Sequence, residues 1–81
     1  MEGDVFDKAV EYYQQAYLVD PVRNQDGLVR SHLGYAQHLM EVGEVILARR
    51  QFDQVLRIEP ENQQAYQFYN QVRLVLSRNY S

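Results

Sequence analysis

Apolar residues along the chain recur mostly every three or four positions, which is the period of an amphipathic helix. The pattern breaks at two prolines and two glycines, namely Pro21, Gly27, Gly43 and Pro60. Four helices are therefore predicted, over about 4–19, 28–42, 44–58 and 62–78. Short links between them favour antiparallel neighbours. No segment alternates with a strand period for long enough to compete. The sequence predicts an all-α fold of four helices in a single domain, 1–81.

Two of these segments share the same order of small and large residues. Segment 4–21 matches segment 43–60 at a shift of 39 residues. The matched pairs are Phe6 and Val45, Ala9 and Ala48, Tyr13 and Phe52, Ala16 and Val55, Val19 and Ile58, Asp20 and Glu59, and Pro21 and Pro60. The apolar pairs lie three or four residues apart, so they occupy one helix face. A small residue admits a neighbouring helix and a ring fills the gap beside it. The two helices are therefore expected to pack alike.

This pattern resembles the tetratricopeptide repeat (TPR) family, whose unit is a pair of antiparallel helices, A and B. Ala9, Tyr13, Ala16 and Pro21, and again Ala48, Phe52, Val55 and Pro60, are similar to helix B of that unit. Gly43 then falls at the A-to-B turn, after a Leu-Gly-Tyr-Ala stretch (33–36) similar to helix A. The resemblance implies helix B of a partial repeat (about 4–19), a full repeat (about 28–60) and a terminal helix (about 62–78). The implied architecture is a short α-solenoid of stacked hairpins, acting as a protein-binding scaffold or adaptor.

The chain departs from the family's pattern in its period, which is 39 residues rather than 34. The five extra residues are expected in the polar link 22–27, between the first proline and the second helix. The register of the second helix has two alternatives. Counting back from Pro60 without a gap places Ala36 in the small position of helix A, and this register is preferred. Aligning Leu33 and Gly34 with the family instead requires two extra residues before Gly43.

The resemblance also implies a concave groove, lined by the A helices, that takes a peptide or a partner helix. The positions carried over to this groove are Arg30, Leu33, Gln37, Glu41, Gln64, Gln67, Phe68 and Gln71. Gln64, Gln67 and Gln71 form a stripe that can donate and accept hydrogen bonds along a peptide backbone. A merely solvated glutamine face is the alternative. Arg30 lacks the further basic residues of the family's carboxylate-binding grooves, which argues against an acidic tail as the ligand.

The terminal helices provide a second hypothesis. Val72, Leu74, Val75 and Leu76 make the fourth helix apolar on more than one face, which one neighbouring helix does not explain. Residues 1–20 carry five acids and one lysine, whereas 21–81 carry six acids and seven arginines. This asymmetry favours head-to-tail contact. The alternative function is therefore self-association, or docking onto a larger assembly, through the terminal helices.

Composition narrows the chemistry. The chain has 81 residues, a net charge of −3 and no cysteine, so disulfides, thiol catalysis and cysteine metal sites are excluded. No clustered basic face suits nucleic acid, and no apolar run is long enough for membrane insertion. Seven tyrosines are the most unusual feature. Tyr13, Tyr17, Tyr66 and Tyr69 are expected at helix contacts and Tyr12 at the surface, where tyrosine favours interfaces.

No arrangement of residues predicts catalysis. Ser31 and His32 are adjacent and point to different sides of a helix, which defeats a nucleophile–base pair. His32 and His38 are six residues apart and do not share a face for a metal ion. Asp4, Asp7 and Glu11 line one face near a helix start, where a solvated acidic face is favoured. The prediction is a chain without enzyme activity, cofactor or metal; its compartment stays undetermined.

Overall fold

A computed structural model describes the backbone of residues 2–78 and the side chains of residues 5–74. This part of the chain forms α1 (Glu2–Val19), α2 (Pro21–Glu41), α3 (Val45–Ile58) and α4 (Gln63–Arg78). The predicted all-α fold of four helices is confirmed. Within the described residues, none of the helices combines the length and the apolar character that a bilayer crossing requires.

The corner between α1 and α2 differs from the expectation. The second helix was predicted to begin near residue 28, with 22–27 as a link, but α2 begins at Pro21 and only Asp20 separates it from α1. Proline is favoured at the first helical position because its ring already has the helical φ. The Asp20 carboxylate accepts a hydrogen bond from the Arg23 backbone N–H at 3.3 Å, which caps the new helix. The prediction failed because proline was weighed only as a helix terminator.

The other two connections follow the predicted boundaries to within one residue. Gly43 adopts a φ of +84° in the α2–α3 turn, a left-handed conformation that glycine adopts without steric cost. The backbone N–H groups of Val42 and Gly43 bond to the carbonyls of His38 and Met40, and so terminate α2. Before α4, the Asn62 side-chain oxygen accepts a bond from the Ala65 N–H at 2.9 Å.

The main core lies where α2, α3 and α4 meet. Its buried members are Val29, Leu33, Ala36, Leu39, Ala48, Phe52, Val55, Ala65 and Val72. Phe52 is fully buried at its centre and stacks on Phe68 of α4, with ring centroids 5.4 Å apart. Extensive packing among the described residues joins helices consecutive in the chain: α1 to α2, α2 to α3, and α3 to α4. The result is a flat stack that measures 45 × 32 × 14 Å.

The first helix packs on α2 through aromatic contacts. Phe6 lies parallel to the Tyr35 ring at 5.9 Å and stacks on His38 at 4.9 Å. The Tyr13 ring lies over Gly27, where a Cβ would stand 2.7 Å from Cδ1 and 2.9 Å from Cζ of that ring. The absence of a side chain at Gly27 is therefore what allows α1 and α2 to approach each other here.

Candidate partner-binding groove between the first two helices

The two matched stripes are buried to different extents. Ala48, Phe52 and Val55 on α3 are fully buried, because α2 packs on one flank of that helix and α4 on the other. Their counterparts on α1, Ala9, Tyr13 and Ala16, are only half-buried. Among the described helices, α2 alone packs extensively on α1. One flank of the α1 stripe is therefore open to solvent in the structure.

This open flank forms a groove with the adjoining face of α2. The main cavity has a volume of about 580 Å³. Its α1 side includes Val5, Phe6, Ala9 and Tyr13, and its α2 side includes Arg23, Asp26, Gly27, Arg30 and Gly34. A second cavity of about 530 Å³ continues it past Tyr12 and Ala16 to Val19, and the two share Arg23 and Asn24. We refer to both cavities together as the α1/α2 groove.

The α1/α2 groove has the dimensions of a helix. It follows α1 from Val5 to Val19, about 20 Å at the helical rise of ~1.5 Å per residue. Alanine on one wall and glycine on the other leave room for a backbone to come close. Tyr12 and Val19 at its edge are 68% and 87% exposed. Large apolar side chains grouped beside a concave surface are typical of interaction sites.

Charge at the groove is confined to its edge. Arg30 Nε lies 3.1 Å from Asp26 Oδ2, four residues away on α2, and both side chains are largely exposed. An exposed pair of this kind contributes little to stability. Both groups also stay accessible to a partner. The groove therefore offers an apolar floor of small residues with one cation and one anion at its rim, which suits an amphipathic helix.

Two titratable groups lie in perturbed surroundings, both outside the groove. His32 is 2% exposed, and burial lowers its pKa despite the opposing hydrogen bond to Gln51. Its Nδ1 lies 2.7 Å from the Gln51 side-chain oxygen, so Nδ1–H donates across the α2–α3 contact. Burial raises the pKa of Tyr35, and the Asp7 carboxylate adds to this through a hydrogen bond and its charge. Within the described side chains, no three histidines or acids are placed to hold a metal ion.

The concave set predicted from the sequence is not brought together as one surface. Gln64, Gln67 and Gln71 are exposed along α4, and Glu41 is exposed at the end of α2. Gln37 and Phe68 are half-buried, and Phe68 stacks against the core ring of Phe52. Leu33 was placed in the groove wrongly, since it is only 9% exposed and belongs to the main core. Arg30 lines the α1/α2 groove with residues of α1.

The predicted self-association set on α4 is also divided. Val72 is fully buried in the core, so its prediction as a contact residue is wrong: α3 covers that side of the helix. Leu74 is 62% exposed, as predicted for a contact residue. The side chains of Val75 and Leu76 lie outside the described residues. Tyr66, Asn70 and Leu74 are all exposed and follow one another at four-residue spacing, so they share one face of α4.

The sequence analysis missed the α2 wall of the groove. Gly27 and Gly34 face α1, next to the rings of Tyr13 and Phe6 respectively. They are seven residues apart, which places them on one helix face. The signal was present, but Gly27 was read as the end of a link because α2 was predicted to begin after it. Comparison with protein-family models, curated proteins and solved structures finds no match to this chain.

Proposed function

We propose that the chain is a protein-interaction module, built as a short tetratricopeptide-like array, that takes one helix of a partner protein into the α1/α2 groove. One observation carries this proposal. The stripe that is fully buried on α3 recurs on α1 in the same order, yet it is half-buried there. On α3, the flank that corresponds to the groove is covered by α2. A helix is therefore the shape that this kind of surface accommodates within the chain itself.

Two features support the tetratricopeptide-like architecture. Packing between consecutive helices is typical of a stacked array, whereas a closed four-helix bundle would also pack its first helix on its last. In addition, Tyr13 packs on the helix that follows α1, and its counterpart Phe52 packs on the helix that follows α3. The repeated sequence order thus coincides with repeated packing partners.

A second candidate function uses the glutamine stripe of α4. Gln64, Gln67 and Gln71 are exposed and flank the half-buried ring of Phe68. Such a stripe can hold an extended peptide through its backbone amides. The α1/α2 groove is favoured over it because the groove is concave, apolar at its floor and long enough for four helical turns.

The proposal is tested with a fluorescently labelled synthetic peptide of residues 21–41 as the probe. This segment is α2, the helix that covers the corresponding flank of α3. We expect the intact chain to bind the peptide in an anisotropy titration. Ala9→Arg places a guanidinium on the groove floor and should weaken binding at least tenfold. Gln14→Arg adds the same charge at an exposed position of α1, about 140° around the helix from Ala9, and should leave binding unchanged.

Further variants decide between the two surfaces. Gln67→Arg combined with Gln71→Glu alters the stripe on α4 and should leave peptide binding intact. Loss of binding in this variant, with Ala9→Arg unaffected, would transfer the function to the glutamine stripe. Failure of the unmodified chain to bind the peptide would refute the groove proposal. Circular dichroism of each variant verifies that helix content is retained.

A further inference from the structure

We propose that the helix entering the α1/α2 groove is α4 of a second copy of this chain, so that copies associate head to tail. This inference rests on the proposed function of the groove and names its occupant. The groove is the head, and the exposed face of α4 formed by Tyr66, Asn70 and Leu74 is the tail. Three independent features of the chain point to this pairing.

The first feature is the repeat itself. α3 matches α1 at a shift of 39 residues, and each of the two is followed by a helix that packs on its large ring. The order along the stack is therefore α1, α2, α3, α4, with α1 and α3 equivalent. A second copy placed at the end of this stack sets its α1 against α4 of the first, in the relation that α3 has to α2. The step is one that the chain already makes, so the stack continues without a steric conflict.

The second feature is the match between the tail and the surface that α2 presents to α3. A shift of 38 residues brings the small residue Gly27 onto Ala65 and places the tail on a row of α2. In that row Leu28, His32 and Ala36 are buried at four-residue spacing. Their counterparts on α4 are Tyr66, Asn70 and Leu74, which are exposed. The tail thus repeats the position of a helix face that is covered inside the chain.

One polar contact of the covered face has a counterpart at the head. His32 donates to the Gln51 oxygen across the α2–α3 contact. At the proposed contact, Asn70 takes the place of His32, and Tyr12 takes the place of Gln51. An asparagine amide and a tyrosine hydroxyl can form a hydrogen bond in the same position. Tyr12 is 68% exposed, so its hydroxyl is accessible to a second copy.

The third feature is charge. α1 carries four acids and one lysine, a net charge of −3. Residues 45–78, which contain α3 and α4, carry five arginines and three acids, a net charge of +2. Opposite charges attract head to tail, whereas two heads or two tails repel each other. Charge therefore favours the head-to-tail pairing over a symmetric dimer.

A head-to-tail contact leaves one head and one tail exposed at the ends of every assembly. Such heterologous contacts add copies in line unless the geometry closes a ring. The expected behaviour is a distribution of oligomers that lengthens with protein concentration. Because the attraction involves exposed charges, added salt should shorten that distribution.

Analytical ultracentrifugation of the intact chain tests the inference. We expect the weight-average mass to rise with concentration beyond twice the monomer mass of 9.6 kDa and to fall in high salt. Ala9→Arg blocks the head and Leu74→Glu charges the tail, so each variant alone should stay monomeric. Val42→Glu is the matched control, since Val42 is 55% exposed, close to the 62% of Leu74, and lies in the α2–α3 turn. This control should associate like the unmodified chain.

An equal mixture of the two blocked variants gives the sharpest result. The Ala9→Arg chain keeps an intact tail and the Leu74→Glu chain keeps an intact head. Their mixture should therefore form a one-to-one dimer and nothing larger. A symmetric dimer through either end predicts no such complementation. Tyr12→Ala, at a largely exposed position, is a second head variant that spares the packing of α1 on α2 and should also weaken association.

Several outcomes would overturn the inference. They are a monomer at concentrations up to roughly 1 mM, association that persists in Leu74→Glu, and a blocked mixture that stays monomeric although the unmodified chain associates. The peptide experiment separates this failure from that of the proposed function. If the peptide of residues 21–41 binds and the chain is monomeric, the groove takes a helix but not α4. If the peptide does not bind and the chain is monomeric, both proposals fail.

Discussion

Replacing Gly27 with alanine tests the contact that sets the distance between α1 and α2. In most helices Gly→Ala is stabilising, because alanine has the higher helix propensity by about 1 kcal/mol. At Gly27 the added methyl group would stand 2.7 Å from Cδ1 of Tyr13, well inside van der Waals contact. The ring has to move, or α1 has to separate from α2. We therefore expect the substitution to destabilise this protein.

The expected size follows from two opposing contributions. Overpacking by one methyl group typically costs about 1–3 kcal/mol. The propensity gain of ~1 kcal/mol offsets part of this, so Gly27→Ala should lower the free energy of unfolding by about 0–2 kcal/mol. In a Tyr13→Ala background the obstacle is gone, and the same change should raise stability by about 1 kcal/mol. The coupling between the two positions is then about 1–3 kcal/mol.

The assay is urea unfolding followed by circular dichroism at 222 nm for all four members of this double-mutant cycle. Gly34 provides a matched control on the same face of α2. A Cβ at Gly34 would lie 3.7 Å from Cε1 of Phe6, an ordinary contact, so Gly34→Ala should be stabilising. Equal stabilisation by Gly27→Ala in the presence and absence of the Tyr13 ring would refute the described α1–α2 packing.

Two further predictions concern the α2–α3 hairpin. The pKa of His32 is lowered in the folded state, so the unfolded chain binds more protons; stability should be complete above about pH 6.5 and fall at lower pH, by at most ~1.4 kcal/mol per pH unit, and His32→Leu should remove this slope in urea melts recorded from pH 8 to pH 5. Gly43→Ala should cost about 1–2 kcal/mol through the left-handed φ alone, since nothing lies within 4 Å of its Cβ position, whereas Gly43→Asn should cost less; equal urea midpoints for the two variants would contradict this account.

The amino-acid sequence by itself determined the local structure and the repeated stripe. Helix periodicity, the turn at Gly43 and the acid–proline pairs yielded four helices, three with nearly the observed bounds. The order of Ala48, Phe52 and Val55 also identified the centre of the core. These features depend on neighbouring residues and on side-chain size, which are readable along the chain. The start of α2 was missed although its signal is local, because Pro21 both follows α1 and opens the next helix.

Only the tertiary structure decided which faces are covered. Leu33 and Val72 were expected at binding surfaces and are buried, whereas Ala9 and Tyr13 match buried residues of α3 and border an open groove. Periodicity assigns a face its polarity, but burial depends on which helix packs against that face and at what distance. The same stripe is therefore core on α3, between two helices, and a candidate binding surface on α1, beside one.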